Sequence, residues 1–447
     1  MMTELTQYRF TARGAAELVH EVEAGVASGA LAPGQPLPSV RRLAASVGLS
    51  PATVAGALAE LRRRGVVQSE PRRGTRIGQA PPIGSPRAPL SVPSGACDLS
   101  LGNPDPALLP DLAQVLTHID LPVCLYGEPQ ALPELLELAR LQLGADGIPG
   151  EHLCVMSGAM DAIERVLGAH LRPGDRVAVE NPGYAAMFDL LRAQGLVLEP
   201  VALDELGMLT RGLRQALSRG AAAVVITPRG QNPTGAALDA TRAGELAAVL
   251  QEFPRTLLIE DDHLGPVAGK ELHSLVSAGA RPERWAATRS VAKALGPDLR
   301  LAVLAGDSHT IARVQGRQQC GPGWVSHLLQ SLVVGLWKDP SVHKLIERAS
   351  ATYTQRREQL LAELARVGIE AHGASGLNVW IPVGEEAHAV GSLLQRGWVL
   401  ASGAAYRLAG SQPGIRATTA TLTPPEAAQF AADLADVLAP AHVSRSG

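Results

Sequence analysis

The stretch 288–306 reads TRSVAKALGPDLRLAVLAG, and it contains Lys293, one of only four lysines in the 447-residue chain. The others are Lys270, Lys338 and Lys344, in a composition otherwise rich in arginine. Ser290 stands three residues before Lys293 and Arg300 seven after it. A lysine amine forms a Schiff base with an aldehyde cofactor. A hydroxyl together with a guanidinium can hold a phosphate dianion. Around this stretch, the apolar runs RVAVE (176–180), AAAVVITP (221–228), TLLIEDD (256–262) and RLAVLAG (300–306) alternate with helix-like segments such as ATRAGELAAVLQEF (240–253). Such alternation predicts an α/β domain around a mostly parallel sheet. Ligands in such sheets bind beyond the carboxyl ends of the strands.

Polar residues fall at those ends. Asp261, in IEDDH, closes an apolar run, where a carboxylate would pair with a protonated pyridine nitrogen. Asn232, in NPTG, follows the 221–228 run, and Tyr184, in ENPGY, follows 176–180 with a flat ring suited to stacking. MSGAMDAIERVL (156–167) sets Ser157 and Gly158 before a helix whose first amides would receive phosphate. Taken singly these signals are weak: an Asp after a strand is usually a turn residue, and NPTG is a reasonable turn by itself.

The N-terminal part has a different pattern. In LPSVRRLAASVG (37–48), Val40, Leu43, Ala44 and Val47 recur at the spacing of one buried helix face, and Gly48 sits where the helix would stop. Then LSPATVAGALAELRRRG (49–65) offers Ser50 as N-cap and Pro51 as first helical residue. Val54, Ala57, Leu58 and Leu61 repeat the apolar spacing. Two short amphipathic helices joined by a tight turn form a helix-turn-helix. VVQSEPRRGTRIG (66–78) follows as a two-stranded wing. Between Gln35 and Gly78 the bases are Arg41, Arg42, Arg62, Arg63, Arg64, Arg72, Arg73 and Arg76, against only Glu60 and Glu70. A basic segment on a chain of net charge -3 is a footprint for a phosphate backbone, although a solvated arginine-rich face reads the same way on charge alone.

A Pro/Gly/Ser-rich linker is expected at 79–95. It would separate a DNA-binding domain at 1–78 from an effector and dimerisation domain at 96–447. No apolar run is long enough to span a bilayer, and the N-terminus lacks a secretory pattern, so a cytoplasmic protein is expected. Cys97, Cys124, Cys154 and Cys320 form no CxxC pair, so neither a metal site nor a disulfide framework is expected.

The head, with LPSVRRLA, GLSPATV, ALAELRRRGVV and RRGT, resembles the winged helix-turn-helix of GntR-family regulators over residues 8–78. The order SGA, ENPGY, NPTG, EDD, then SxxK with Arg seven residues on resembles the fold-type I aminotransferases. Together they resemble the MocR subfamily of bacterial regulators along nearly the whole chain. The resemblance implies a winged helix-turn-helix, then a pyridoxal-phosphate-binding domain of mostly parallel sheet with a small C-terminal α+β subdomain. It implies that Lys293 holds the cofactor covalently, Asp261 faces the ring nitrogen, Asn232 and His263 approach the ring's 3-oxygen, and Tyr184 stacks on the ring. Ser290, Arg300 and the amides of Ala159 and Met160 would bind the phosphate. Tyr126, in LYGEPQ, would reach the phosphate of the other subunit of a homodimer. Arg416, in GIRATT, would bind the carboxylate of an amino-acid ligand. Arg41, Ser50, Thr53, Arg73 and Gly74 would meet double-stranded DNA.

Four departures stand out. Pro51 replaces a base-reading arginine common after the cap, and His263 replaces the usual tyrosine. Ala186 stands near where some ligand-sensing relatives carry an arginine, and Asp161 adds an acid beside the phosphate-binding turn. Three functions follow from the resemblance. The first is a regulator, without an enzymatic role, that senses pyridoxal phosphate itself and controls vitamin B6 metabolism; GPDLRLAVLAG resembles that branch. The second is a regulator that senses an amino acid or amine through the cofactor, which Arg416 favours and Ala186 disfavours. The third is a pyridoxal-phosphate-dependent aminotransferase with an appended DNA-binding module, or a regulator with residual transaminase activity.

Overall fold

A computed structural model describes residues 8, 10–63, 66–70, 74–78, 92–119, 121, 123–280 and 282–439. The chain divides into two compact units, one built on Met1–Ala88 with Leu171–Arg176 and Phe188–Leu198, the other on the remainder. Arg73 and most of the expected linker, 79–91, lie outside the described residues.

The head contains helices α1 (Ala15–Ala27), α2 (Val40–Val47) and α3 (Pro51–Arg63), then the antiparallel strands β1 (Val67–Glu70) and β2 (Gly74–Ile77). Ser39 caps α2 by accepting from the Arg42 amide, and Gly48 ends it at φ 69°, a left-handed conformation that glycine adopts without penalty. Ser50 caps α3 as expected, its Oγ accepting from the Thr53 amide at 3.1 Å. The chain bends by 112° between α2 and α3, within the range of helix-turn-helix units. Leu43, Ala44, Val54, Ala57, Leu58 and Leu61 bury the expected faces, closed off by Leu18 and Val22 of α1 and by Val67 and Ile77 of the wing. Arg41 is left exposed on α2.

The large unit begins with the short strand β3 (Cys97–Asp98), followed by helices α4 (Leu112–Leu116) and α5 (Pro133–Ala145). Its main sheet has eight strands: β4 (Leu153–Met156), β5 (Arg176–Asn181), β6 (Val197–Asp204), β7 (Gly207–Met208), β8 (Ala221–Ile226), β9 (Leu257–Asp262), β10 (Arg284–Ser290) and β11 (Ala302–Gly306). They lie in the order β4-β11-β10-β9-β8-β5-β6-β7. Helices α6 (Ala159–His170), α7 (Ala185–Ala193), α8 (Thr210–Ser218) and α9 (Ala240–Glu252) alternate with the strands. β8, β9 and β10 run parallel, and β11 runs antiparallel to both β10 and β4. Apolar residues on both faces of these strands, such as Val224, Leu258, Val303 and Leu304, are fully or nearly fully buried, as expected of a sheet covered on both sides. The C-terminal part carries β12 (Asn378–Pro382), β14 (Ala401–Ser402) and β15 (Gly414–Thr418) as a small antiparallel sheet, while β13 (Trp398–Val399) pairs with β3. This is the expected α+β subdomain. Among the described residues, no single helix is long and apolar enough to cross a membrane.

Candidate cofactor site

The sheet's direction explains how residues distant in sequence meet. Met156, Ala302 and Ser290 lie on one rung across β4, β11 and β10. Because β11 runs against its neighbours, its start adjoins the carboxyl ends of β4 and β10. Arg300, just before that start, therefore joins Gly158 and Ser290 at one edge.

Arg300 has φ 45°, the one non-glycine residue with positive φ among those described. A left-handed arginine costs about 1–2 kcal/mol. In that conformation its guanidinium lies over Gly158, where an added Cβ would come within 3.0 Å of Nη2. Gly158 itself has φ +99° and leads into α6, whose first residues are Ala159 and Met160. A guanidinium and helix-start amides thus converge in a cradle that a side chain at residue 158 would fill. The added acid Asp161 is already engaged: Oδ2 accepts from the Ser157 amide at 3.0 Å and Oδ1 from Arg165 Nε at 2.8 Å. Ser290 Oγ accepts from the Ala292 amide at 3.2 Å and is buried.

Asp261 is buried at the end of β9, and its Oδ1 has no hydrogen-bond partner. Burial, with the neighbouring charge of Asp262, pushes its carboxyl up to about 7. Thr288, its partner across β10, also buries an unpartnered hydroxyl. His263 follows β9; burial and then the Lys293 charge lower its imidazole to about 4, so it is neutral at pH 7. Lys293 lies in the short helix α10 (Ala292–Leu295), and its Nζ donates to the Gly102 carbonyl. Burial and the Arg416 charge lower the amine to about 8.

Arg416, buried on β15, donates through Nη1 to Asn232 Oδ1 at 3.0 Å and through Nη2 to the Ser100 carbonyl. Its Cζ stands 5.0 Å from the centroid of the Tyr406 ring, and its Nε is unpartnered. Tyr184 precedes α7, half-exposed and within electrostatic reach of Arg416. Two expected site residues, Asn232 and Arg416, are therefore linked directly. Tyr126 is 92% exposed and meets Trp324 edge-on, with centroids 5.5 Å apart. Its expected contact requires a second subunit. Thr288, Tyr406 and the carbonyls of Ser100 and Gly102 were not anticipated from the motifs. A backbone carbonyl carries no residue signal, and Tyr406 acts through a ring contact with an arginine ten residues away in sequence.

Fold and site together define a fold-type I aminotransferase-like domain attached to a winged helix-turn-helix. Residues 96–434 match the family model of aminotransferase class I and II, and residues 15–77 match that of bacterial regulatory proteins of the gntR family. The chain is 38% identical to the vitamin B6 salvage pathway transcriptional repressor PtsJ of Salmonella typhimurium, over 94% of this chain and 98% of that one. It is 31% identical to the pyridoxine biosynthesis transcriptional regulator PdxR of Corynebacterium glutamicum, over 55% of each. Among solved structures, Pyrococcus horikoshii kynurenine aminotransferase superposes with a TM-score of 0.71 at 20% identity, over 77% of this chain and 91% of that one. The chain belongs to the MocR regulators, the GntR-type proteins with a class I and II aminotransferase domain. That domain implies pyridoxal phosphate binding. The residues present fit the group: an orphaned buried carboxylate oxygen suits a cationic ring nitrogen, and the Gly158–Arg300 cradle suits a phosphate.

Proposed function

We propose that this chain is a cytoplasmic transcription regulator that binds DNA through residues 1–78 and senses pyridoxal phosphate through residues 96–447, the two joined by the linker 79–95. The observation that carries this reading is the unpartnered Oδ1 of buried Asp261, at the end of a strand whose neighbours lead to a lysine of lowered pKa and to the Gly158–Arg300 cradle. The names of the PtsJ and PdxR relatives support genes of vitamin B6 metabolism as the targets.

Pyridoxal phosphate supplies an aldehyde and an electron-poor ring. Lys293 presents its amine, which loses its proton near pH 8, to the aldehyde. Asp261, whose buried Oδ1 has no other partner, would accept from a protonated ring nitrogen and keep the ring electron-poor. Asn232 and neutral His263 would serve the ring's 3-oxygen, and Tyr184 would stack on the ring. Arg300, Ser290 and the amides of Ala159 and Met160 would bind the phosphate. The cofactor has an effector role here, since an enzyme has no need of a basic wing. A second reading, a regulator that senses an amino acid or amine, is favoured by the free Nε of Arg416, which offers a donor to a ligand carboxylate. Residual transaminase activity would come from the same residues.

The DNA-facing residues are Arg41, Ser50, Thr53, Arg73 and Gly74. Arg41→Ala is expected to weaken operator binding and to lower the slope of log affinity against log salt by about 0.9, the share of one lost phosphate contact. An unchanged slope and affinity would remove Arg41 from the interface. The partner that Tyr126 requires is a second copy of the chain. Exposed Val123 and Leu125 beside it supply apolar surface for that contact. Sedimentation at micromolar concentration should give a dimer. A monomer that still binds cofactor tightly would contradict shared sites.

A further inference from the structure

Behind the cofactor site, on the residue next to Asp261, lies a buried ionic cluster. Asp262 accepts two bonds from one guanidinium: Arg229 Nε to Oδ1 and Arg229 Nη2 to Oδ2, both at 2.9 Å. Arg289 Nε donates to Oδ2 at 2.9 Å, and the Gly265 amide to Oδ1 at 3.2 Å. Arg289 Nη2 then reaches Asp146, just beyond α5, and its Nη1 the Gln142 carbonyl at 3.3 Å. Arg229 Nη1 bonds the Lys270 carbonyl at 3.1 Å. Burial disfavours the Asp262 charge, but the two guanidinium groups outweigh it and hold the carboxyl near 2. All three side chains are 5–8% exposed.

The three segments that meet here also carry the proposed cofactor contacts. Arg229 stands three residues before Asn232 in the loop after β8, and Asp262 stands between Asp261 and His263. Arg289 precedes Ser290 and stands four residues before Lys293. Successive side chains on a strand point to opposite faces. Asp261 and Asp262 therefore face opposite sides of the sheet, one toward the cofactor site and one toward the cluster. Burying three charges is costly, and apolar residues would fill such a volume at least as stably. What an ion cluster adds over apolar packing is direction: a bidentate guanidinium fixes distance and angle together. Binding groups need to be held to within about 0.5 Å by supporting contacts.

We propose that Arg229 and Arg289, joined through Asp262, are positioning residues for the cofactor: the clamp sets the loop of Asn232, the end of β9 and the start of the Lys293 segment in one fixed relation. This rests on the cofactor reading given above. Neither arginine touches the ligand.

The test uses the full chain with pyridoxal phosphate as probe. Affinity and the induced circular dichroism of the bound cofactor, which reports a fixed ring orientation, are measured well below the unfolding temperature. Wild type, Arg229→Met, Arg229→Lys and Arg289→Met are compared, with the exposed Arg214→Gln as control. Wild type should bind and show the dichroic band; if it does not bind, the cofactor reading itself fails. Arg229→Met and Arg289→Met should each lose about tenfold in affinity, as is typical when a supporting contact is removed, and at least half of the band. Arg229→Lys should recover part of the band, and Arg214→Gln should match wild type. Methionine variants that melt earlier yet keep wild-type affinity and band would make the cluster purely structural and overturn the proposal. If a variant fails to fold, Arg229→Lys decides: a wild-type band with a single ammonium in place of the fork also overturns it.

Discussion

Borohydride reduction of the protein loaded with pyridoxal phosphate should leave a pyridoxyl group on Lys293, and Lys293→Ala should abolish the adduct completely. The effect is all-or-none because the other three lysines, Lys270, Lys338 and Lys344, are exposed and lie elsewhere in the fold. Lys293 is different because burial and the Arg416 charge lower it from 10.5 to about 8. At neutral pH this leaves on the order of a hundredfold more neutral amine than an ordinary lysine offers. Since only the neutral amine attacks an aldehyde, the rate of adduct formation should climb with pH and level off above about 8. An ordinary lysine would keep accelerating toward 10. Mass spectrometry of the reduced protein locates the adduct. A pyridoxyl label persisting on Lys293→Ala, or found on another lysine in wild type, would refute the assignment. The variant keeps the Gly158–Arg300 cradle, so it should still bind the cofactor without the covalent bond.

Asp262→Ala should destabilise the large unit by about 3–5 kcal/mol, because it strips the shared counterion from two buried guanidinium groups. Urea unfolding of the cofactor-free protein reads this out as an earlier midpoint of the large unit's transition. A loss below about 1 kcal/mol, the range of an exposed pair, would contradict the burial argument. The neighbouring Asp261→Asn should behave in the opposite way. Asp261 has an unpartnered oxygen and a raised pKa, so its ionisation opposes folding, and the amide should match or exceed wild-type stability at pH 8 in the absence of cofactor. The two carboxyls also respond oppositely to pH. Asp262 has a lowered folded-state pKa: its stabilisation is fully present above its unfolded value of about 3.8 and is lost as pH falls through about 2. Asp261 has a raised one: its penalty is absent below about 3.8 and grows until pH passes about 7.

The architecture was legible because its signals are local. Strand ends are marked by the switch from apolar runs to ENPGY, NPTG and EDD, and the helix-turn-helix by Gly48, Ser50 and two runs of apolar spacing. Each depends on neighbours within a few residues. The residues proposed to hold the cofactor were picked out by the same local marks, near strand ends: Asp261 and Ser290 lie in the last residues of β9 and β10, and His263 and Lys293 follow them. The clamp was not. Its bonds join Arg229 to Asp262 and Arg289 to Asp146, pairs separated by 33 and 143 positions, and a sequence shows only that arginines and acids exist. Two arginines beside motif residues, each adjoining apolar strands, were the available signal. Helix α1 was also missed: AAELVHEVEAGVA mixes alanine, glycine and valine without a sharply polar face, so its period is blurred. Arg300 was singled out by spacing, but spacing gave no sign of its left-handed backbone or of its guanidinium over Gly158.

A ligand that binds two arrangements of a protein equally shifts neither, so cofactor sensing requires unequal affinity for the DNA-competent and incompetent forms. The most direct measurement is the affinity of the full chain for its own upstream DNA, with and without pyridoxal phosphate, in wild type and Lys293→Ala at several salt concentrations. A change of about 5–150-fold on adding the cofactor, corresponding to ~1–3 kcal/mol of coupling, is expected in wild type and should be blunted in the variant. Equal DNA affinity with and without cofactor at every salt concentration would contradict a pyridoxal-phosphate-sensing regulator.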